Sequence, residues 1–272
     1  MRKITLLTSV LLTAPFAAGN VSAQCVATQD CKTLGYTETS CESGGVKCPF
    51  GNYWACPSSS SSKGVLGKCT GYAKNCQIGW LLNSDGTCTA NKTTGKTPIG
   101  VIVYISLRGC GQALTATPVA TGLPWAIEEA TYGSNSITVG SFAERGNYQD
   151  FFNHYDGYED TLKIISKGDS NTFPAAWATV NYAPSEAPNT KGKWFLPAIG
   201  TLENVNLNLS AVNEGIKKMN GTEIKDVSPI WSSSEDTTSS VWVLTNYYYT
   251  KNGIYNFRKE RTDVETRAAI EF

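Results

Sequence analysis

The chain is 272 residues long, with 23 basic against 23 acidic residues, nine cysteines and one histidine. Balanced charge without a basic block gives no electrostatic footprint for nucleic acid or an anionic membrane. With His154 as the only imidazole, most histidine-dependent metal and acid–base chemistries are excluded as well.

Arg2 and Lys3 precede an apolar stretch from Ile4 to Ala18, and Val21-Ser22-Ala23 follows with small residues. This order predicts a secretory signal peptide over residues 1–23. An apolar run of about 15 residues falls short of the roughly 20 that a spanning helix needs. No later stretch is apolar for long enough, so no membrane span is expected once the leader is removed. A secreted, periplasmic or cell-surface location follows.

Residues 24–88 are expected to form a cysteine-rich module. Cys25, Cys31, Cys41, Cys48, Cys56, Cys69, Cys76 and Cys88 follow the spacing C-x5-C-x9-C-x6-C-x7-C-x12-C-x6-C-x11-C, and Cys110 comes later. Zinc favours close C-x2–4-C pairs, often with histidine, and neither is present. In an exported chain the density instead reads as a disulfide framework whose pairing sequence alone does not assign. The odd number leaves one thiol, with Cys110 and Cys25 as candidates, free or bridged to another chain. Gly35-Tyr36 before Cys41 and Gly71-Tyr72 before Cys76 suggest two copies of a small knot, separated by the serine run Ser58 to Ser62.

The polar segment 89–98 contains Gly95 and Pro98 and reads as a linker. Residues 99–272 are then expected to form one domain. It opens on Ile99 to Ile105, a β-branched and aromatic run suited to a buried strand. A helix is predicted from Asp160 or Thr161, either serving as its cap, to about Tyr182 with a break at Pro174.

A second helix follows Pro197. Ile199, Leu202, Val205, Leu209, Val212, Ile216 and Met219 recur at intervals of 3, 3, 4, 3, 4 and 3, which puts them on one stripe. Thr201 is the candidate cap, Asn220-Gly221 the stop, and Gly215 the one residue that argues against a helix. Strands are expected over Val241–Thr250, over Ile254–Lys259 after an Asn252-Gly253 hairpin turn, and over Ala268–Phe272. Helices grouped before an antiparallel sheet make the class α+β.

Three motifs in order carry a resemblance: Lys193-Trp-Phe-Leu-Pro-Ala-Ile-Gly-Thr-Leu202, Ile230-Trp-Ser-Ser-Ser-Glu235 and Arg267-Ala-Ala-Ile-Glu-Phe272. Together with Pro98-Ile-Gly-Val101 and Tyr155-Asp-Gly-Tyr-Glu-Asp-Thr161, they resemble the bacterial Lcl C-terminal-like domain family, a domain of unknown function. The likeness covers about residues 97–272 and none of the cysteine-rich module. It implies a C-type-lectin-like fold, with paired first and last strands and two helices flanking an irregular sheet. It also implies an exported or surface-displayed binding module that is not an enzyme.

Trp194, Leu196, Pro197, Trp231, Trp242 and Arg267 read as structural motif positions. Ser232, Ser233, Ser234 and Glu235 are expected to satisfy backbone groups where a loop meets the sheet, in preference to lining a ligand surface. Asp156, Glu159 and Asp160 are the densest acidic group, yet no calcium loop can be written through them. The Glu-Pro-Asn and Trp-Asn-Asp triplets of calcium-dependent lectins are absent as well. No cofactor or metal is expected. A serine or cysteine nucleophile would need His154, which sits in Phe151-Phe-Asn-His-Tyr155 and reads as a half-buried loop residue.

The predicted function is non-catalytic recognition of an extracellular ligand, glycan or protein, at a bacterial surface. Tyr247, Tyr248, Tyr249 and Tyr255 are the candidate ligand surface. The alternatives are a structural subunit of an extracellular assembly and a carbohydrate hydrolase.

Overall fold

A computed structural model describes residues 76–105, 111–131, 138–139, 154–225, 229–245 and 253–272, together with the backbone of two short strands, β1 (Lys47–Cys48) and β2 (Asn52–Tyr53). Cys25, Cys31, Cys41, Cys56, Cys69, Cys110, the serine run and Tyr247 to Tyr249 lie outside the described residues, as does the proposed leader.

The class is α+β with antiparallel sheets. A six-stranded sheet contains β3 (Leu81–Asn83), β4 (Cys88–Thr89), β5 (Pro98–Ile105), β6 (Gly111–Leu114), β7 (Trp194–Phe195) and β11 (Ala269–Glu271), in the order β4-β3-β5-β6-β11-β7. A three-stranded sheet contains β8 (Ile230–Glu235), β9 (Ser240–Leu244) and β10 (Ile254–Arg258), in the order β10-β9-β8. Four α-helices lie among the described residues: α1 (Gly157–Ser166), α2 (Pro174–Asn181), α3 (Ile199–Leu207) and α4 (Leu209–Lys218).

The sheet begins earlier than residue 99. Leu81 pairs with Val101, and Cys76 is bridged to Cys88, so the end of the predicted cysteine-rich module belongs to the main sheet. The predicted linker is likewise built in. Thr89 lies in β4, Pro98 opens β5, and the Ser84 amide donates to Thr97 O at 2.8 Å. A polar composition concealed these residues because they cover a hairpin with no apolar period of their own. The expected pairing of first and last strands also takes another form. β11 pairs with β6 and β7, and β6 stands between it and β5.

The larger sheet is covered on both faces along β5, which explains a strand that is apolar with little interruption. Along β5, Val101 and Val103 enter one core with Leu202, Val205, Val212 and Ile216, while Ile102 enters another with Trp194 and Ile270. In the smaller sheet, Leu244 and Ile254 join the helix-facing core. Val241, Val243 and Trp231 instead face Trp125, Ile164 and Phe173.

The long apolar stripe divides into α3 and α4 at Asn208. Asn208 leaves helical geometry at φ −119° and ψ 24°, and Asn204 O accepts both its main-chain amide at 3.1 Å and its side-chain amide at 2.9 Å. Gly215 inside α4 is explained by close approach. A Cβ there would lie 2.5 Å from both Gly79 O and Val101 Cγ1. Asn220 adopts φ 58°, the left-handed stop after α4.

Ile254 pairs with Leu244, and the Thr245 amide donates to Gly253 O at 2.6 Å. Asn252 of the predicted turn and the end of the predicted Val241–Thr250 strand lie outside the described residues. The pairing keeps Val241 and Val243 in one core and Leu244 in the other, and a slip in register would reverse those faces.

Candidate functional site

The serine-rich motif of β8 is the centre of a polar joint. The Ser233 amide donates to Pro197 O at 2.9 Å, and Ser234 Oγ accepts from the Ile199 amide at 3.0 Å. Ser234 therefore supplies the acceptor at the start of α3 across the fold. Thr201 takes no part in that cap; its hydroxyl donates to Gln112 Oε1 at 2.5 Å. Ser232 Oγ donates to Trp242 O at 2.6 Å and accepts from the Ser234 amide at 3.0 Å. The Trp125 indole donates to Ser232 O at 2.9 Å and the Trp231 indole to Leu123 O at 3.0 Å.

His154 meets Asp160 next to this joint. Its Nε2 is 2.5 Å from Asp160 Oδ2, and Ser233 Oγ donates to the same oxygen at 3.2 Å. Asp160 is fully buried, and burial pushes its carboxyl up, opposed by His154, Lys163 and Ser233. The carboxylate stands between serine and imidazole, whereas a nucleophile relay places the imidazole between serine and carboxylate. Neither Asp160 nor Thr161 caps α1, which begins at Gly157. Thr161 Oγ1 donates to Gly157 O at 2.7 Å and accepts from the Leu196 amide at 3.0 Å. That pair of bonds ties α1 to the Leu196-Pro197 turn.

A second polar cluster lies where β5, β6 and β11 end together. Tyr104 and Tyr155 stack with ring centroids 4.1 Å apart. Gln112 Nε2 donates to Tyr155 O at 2.9 Å and to Glu271 Oε1 at 3.3 Å, and Asn204 Nδ2 donates to the Tyr155 hydroxyl at 2.7 Å. Burial pushes Glu271 up to about 7, opposed by the Gln112 bond and reinforced by the negative Asp156 and Glu159. Half-exposed tyrosines beside carboxylates and amides make a surface able to take a polar ligand. In the sequence Asp156 and Glu159 stand out only as part of the densest acidic group, and Tyr104, Gln112 and Glu271 do not stand out at all. Their only sequence signal is shared position at strand ends, which becomes visible once the pairing is known.

Two further motif residues are buried ions. Lys259 Nζ lies 2.5 Å from Glu235 Oε1 and 4.7 Å from the Trp125 ring centroid. Arg267 donates to the carbonyls of Thr115, Ala116 and Thr222 and pairs with Glu265. It clamps the loop after β6 and the loop after α4 to the terminal strand. Of the candidate tyrosines, Tyr255 is described and is 51% exposed, edge-to-face with Phe257. Trp194 and Leu196 are fully buried, and Trp242 is half-buried. Among the described residues no group of three or more His, Cys, Asp or Glu side chains is placed to hold a metal ion, and no helix is long and apolar enough to cross a membrane.

No protein-family model matches the chain, and no curated protein matches it. The fold is similar to the crystal structure of a fimbrial protein from Bacteroides ovatus ATCC 8483, with a TM-score of 0.51 and 15% identity. The similarity covers 72% of this chain and 48% of that one, so this chain spans about half the length of the fimbrial protein. At that identity the likeness concerns architecture alone.

Proposed function

We propose that the chain is an exported bacterial surface protein whose C-terminal domain, of C-type-lectin-like type and akin to the Lcl C-terminal-like family, recognises an extracellular ligand without catalysis. The observation that carries this reading is the architecture shared with a fimbrial protein across most of the chain. The Cys76–Cys88 bridge supports it, since such bonds persist in oxidising compartments. The leader-like start adds a route out of the cell. The position of Asp160 between Ser233 and His154 favours a scaffold role for the sole histidine.

The Tyr104–Tyr155 cluster and the exposed Tyr255 are the two surfaces on which recognition is proposed. Purified protein is to be tested against glycan arrays, extracellular-matrix proteins and intact cells. Binding to one of these, weakened by Y155A or Y255A, is the expected result. No binding to any of the three counts against recognition.

A second reading, a structural subunit of a surface appendage, is favoured by the fimbrial character of the structural neighbour. Electron microscopy of cells with and without the gene separates the two. Loss of the appendage itself supports the subunit, and loss of adhesion from an intact appendage supports recognition.

A further inference from the structure

The two outer strands of the smaller sheet are joined by a pair enclosed away from water. Lys259 Nζ and Glu235 Oε1 are 2.5 Å apart, with side chains 1% and 0% exposed. Glu235 closes β8 and Lys259 follows β10, so the contact spans the position of β9 between them. Trp125 forms one wall, with its ring centroid 4.7 Å from Nζ. Lys259 Nζ also donates to Thr238 O at 2.7 Å. The Val139 amide lies 3.1 and 3.0 Å from the two Glu235 oxygens.

Taking an ion pair out of water carries a desolvation cost that mutual attraction need not repay. Burial pushes the Lys259 ammonium down, against the opposing pull of Glu235. Moving one proton across the contact gives an uncharged amine beside an uncharged carboxylic acid. A desolvated amine is a nucleophile, and the acid carbon lies one bond beyond the oxygen it already touches.

We propose that Lys259 and Glu235 condense inside the folded protein into an amide between Nζ and Cδ. The Nζ lone pair forms the new bond to Cδ, and the Val139 amide donates to the oxygen that carries the developing charge. One C–O bond then breaks. Its oxygen leaves as water, carrying the acid proton and one proton from Nζ. No oxidant, activated ester or other co-reactant is needed. The product has no buried charge. It closes a covalent ring around β9 and β10. Such a link would survive the reducing conditions that open Cys76–Cys88.

The test is the mass of the purified wild-type protein after full reduction and alkylation, followed by peptide mapping. The expected mass is that of the sequence with alkylated thiols less one water, and digestion should yield one branched peptide joining Glu235 to Lys259. K259M, or E235L if K259M does not fold, should have the full mass and no branched peptide. A wild-type mass equal to the full sequence, or a water loss that maps elsewhere, overturns the proposal and leaves an ordinary ion pair.

Discussion

Ser233 donates its amide to Pro197 O at 2.9 Å, which makes one joint of two motifs distant in sequence. The adjacent Ser234 hydroxyl serves the first amide of α3. The serine run of β8 thereby explains the direct entry of the chain into α3 after Pro197 without a capping side chain of its own. S234A removes this acceptor from a buried amide and should cost about 1–2 kcal/mol. Denaturant unfolding of both proteins measures it, and an unchanged midpoint would dismiss the cap.

Gly215 sets two effects against each other. Alanine in the middle of a helix is worth about 1 kcal/mol over glycine. A Cβ at this position, however, would meet the backbone of Gly79 at 2.5 Å, and overpacking of that kind costs about 1–3 kcal/mol. G215A should therefore lower the melting temperature despite its better propensity. A rise would show that α4 does not approach Gly79 so closely.

Glu271 sets a pH dependence. Its carboxyl sits at about 7 in the fold against an ordinary 4.5, chiefly through burial. An acid with a raised folded pKa holds its proton more tightly when folded. Its contribution is therefore complete below the ordinary value and is lost as pH rises through about 7. E271Q keeps a neutral partner for Gln112, so its stability relative to wild type should increase across that window. Melting curves of both proteins at closely spaced pH values check this, and parallel curves would remove Glu271 from the account.

The Cys76–Cys88 bridge closes a short loop across β3 and β4, with a sequence separation of 12. Replacing both cysteines with serine should cost about 2–4 kcal/mol. Calorimetry of the variant should show the loss in the main unfolding transition, because β3 pairs directly with β5. A separate early transition, with the main one unmoved, would place the bridge in an independent module.

The sequence made the α+β class and the apolar stripe from Ile199 to Met219 legible, because both rest on periodicity that burial enforces. The division at Asn208 was not legible, since one residue leaving helical geometry, at φ −119° and ψ 24°, does not disturb the apolar spacing. Residues 81–98 were misread for a related reason. Their strands are short, and Leu81 and Leu82 are too few to show a period although both are fully buried. The pairing of Leu244 with Ile254 seats both in one core, a register that alternation along the strands does not reveal. The cluster of Tyr104, Gln112 and Glu271 assembles residues from three strands, and no short-range pattern records such a meeting.

The central claim is exposure at the cell surface, and immunogold labelling of intact, unpermeabilised producing cells tests it most directly. Gold on the exterior, absent when the gene is deleted, is the predicted result. Labelling that appears only after the cells are opened would contradict the account.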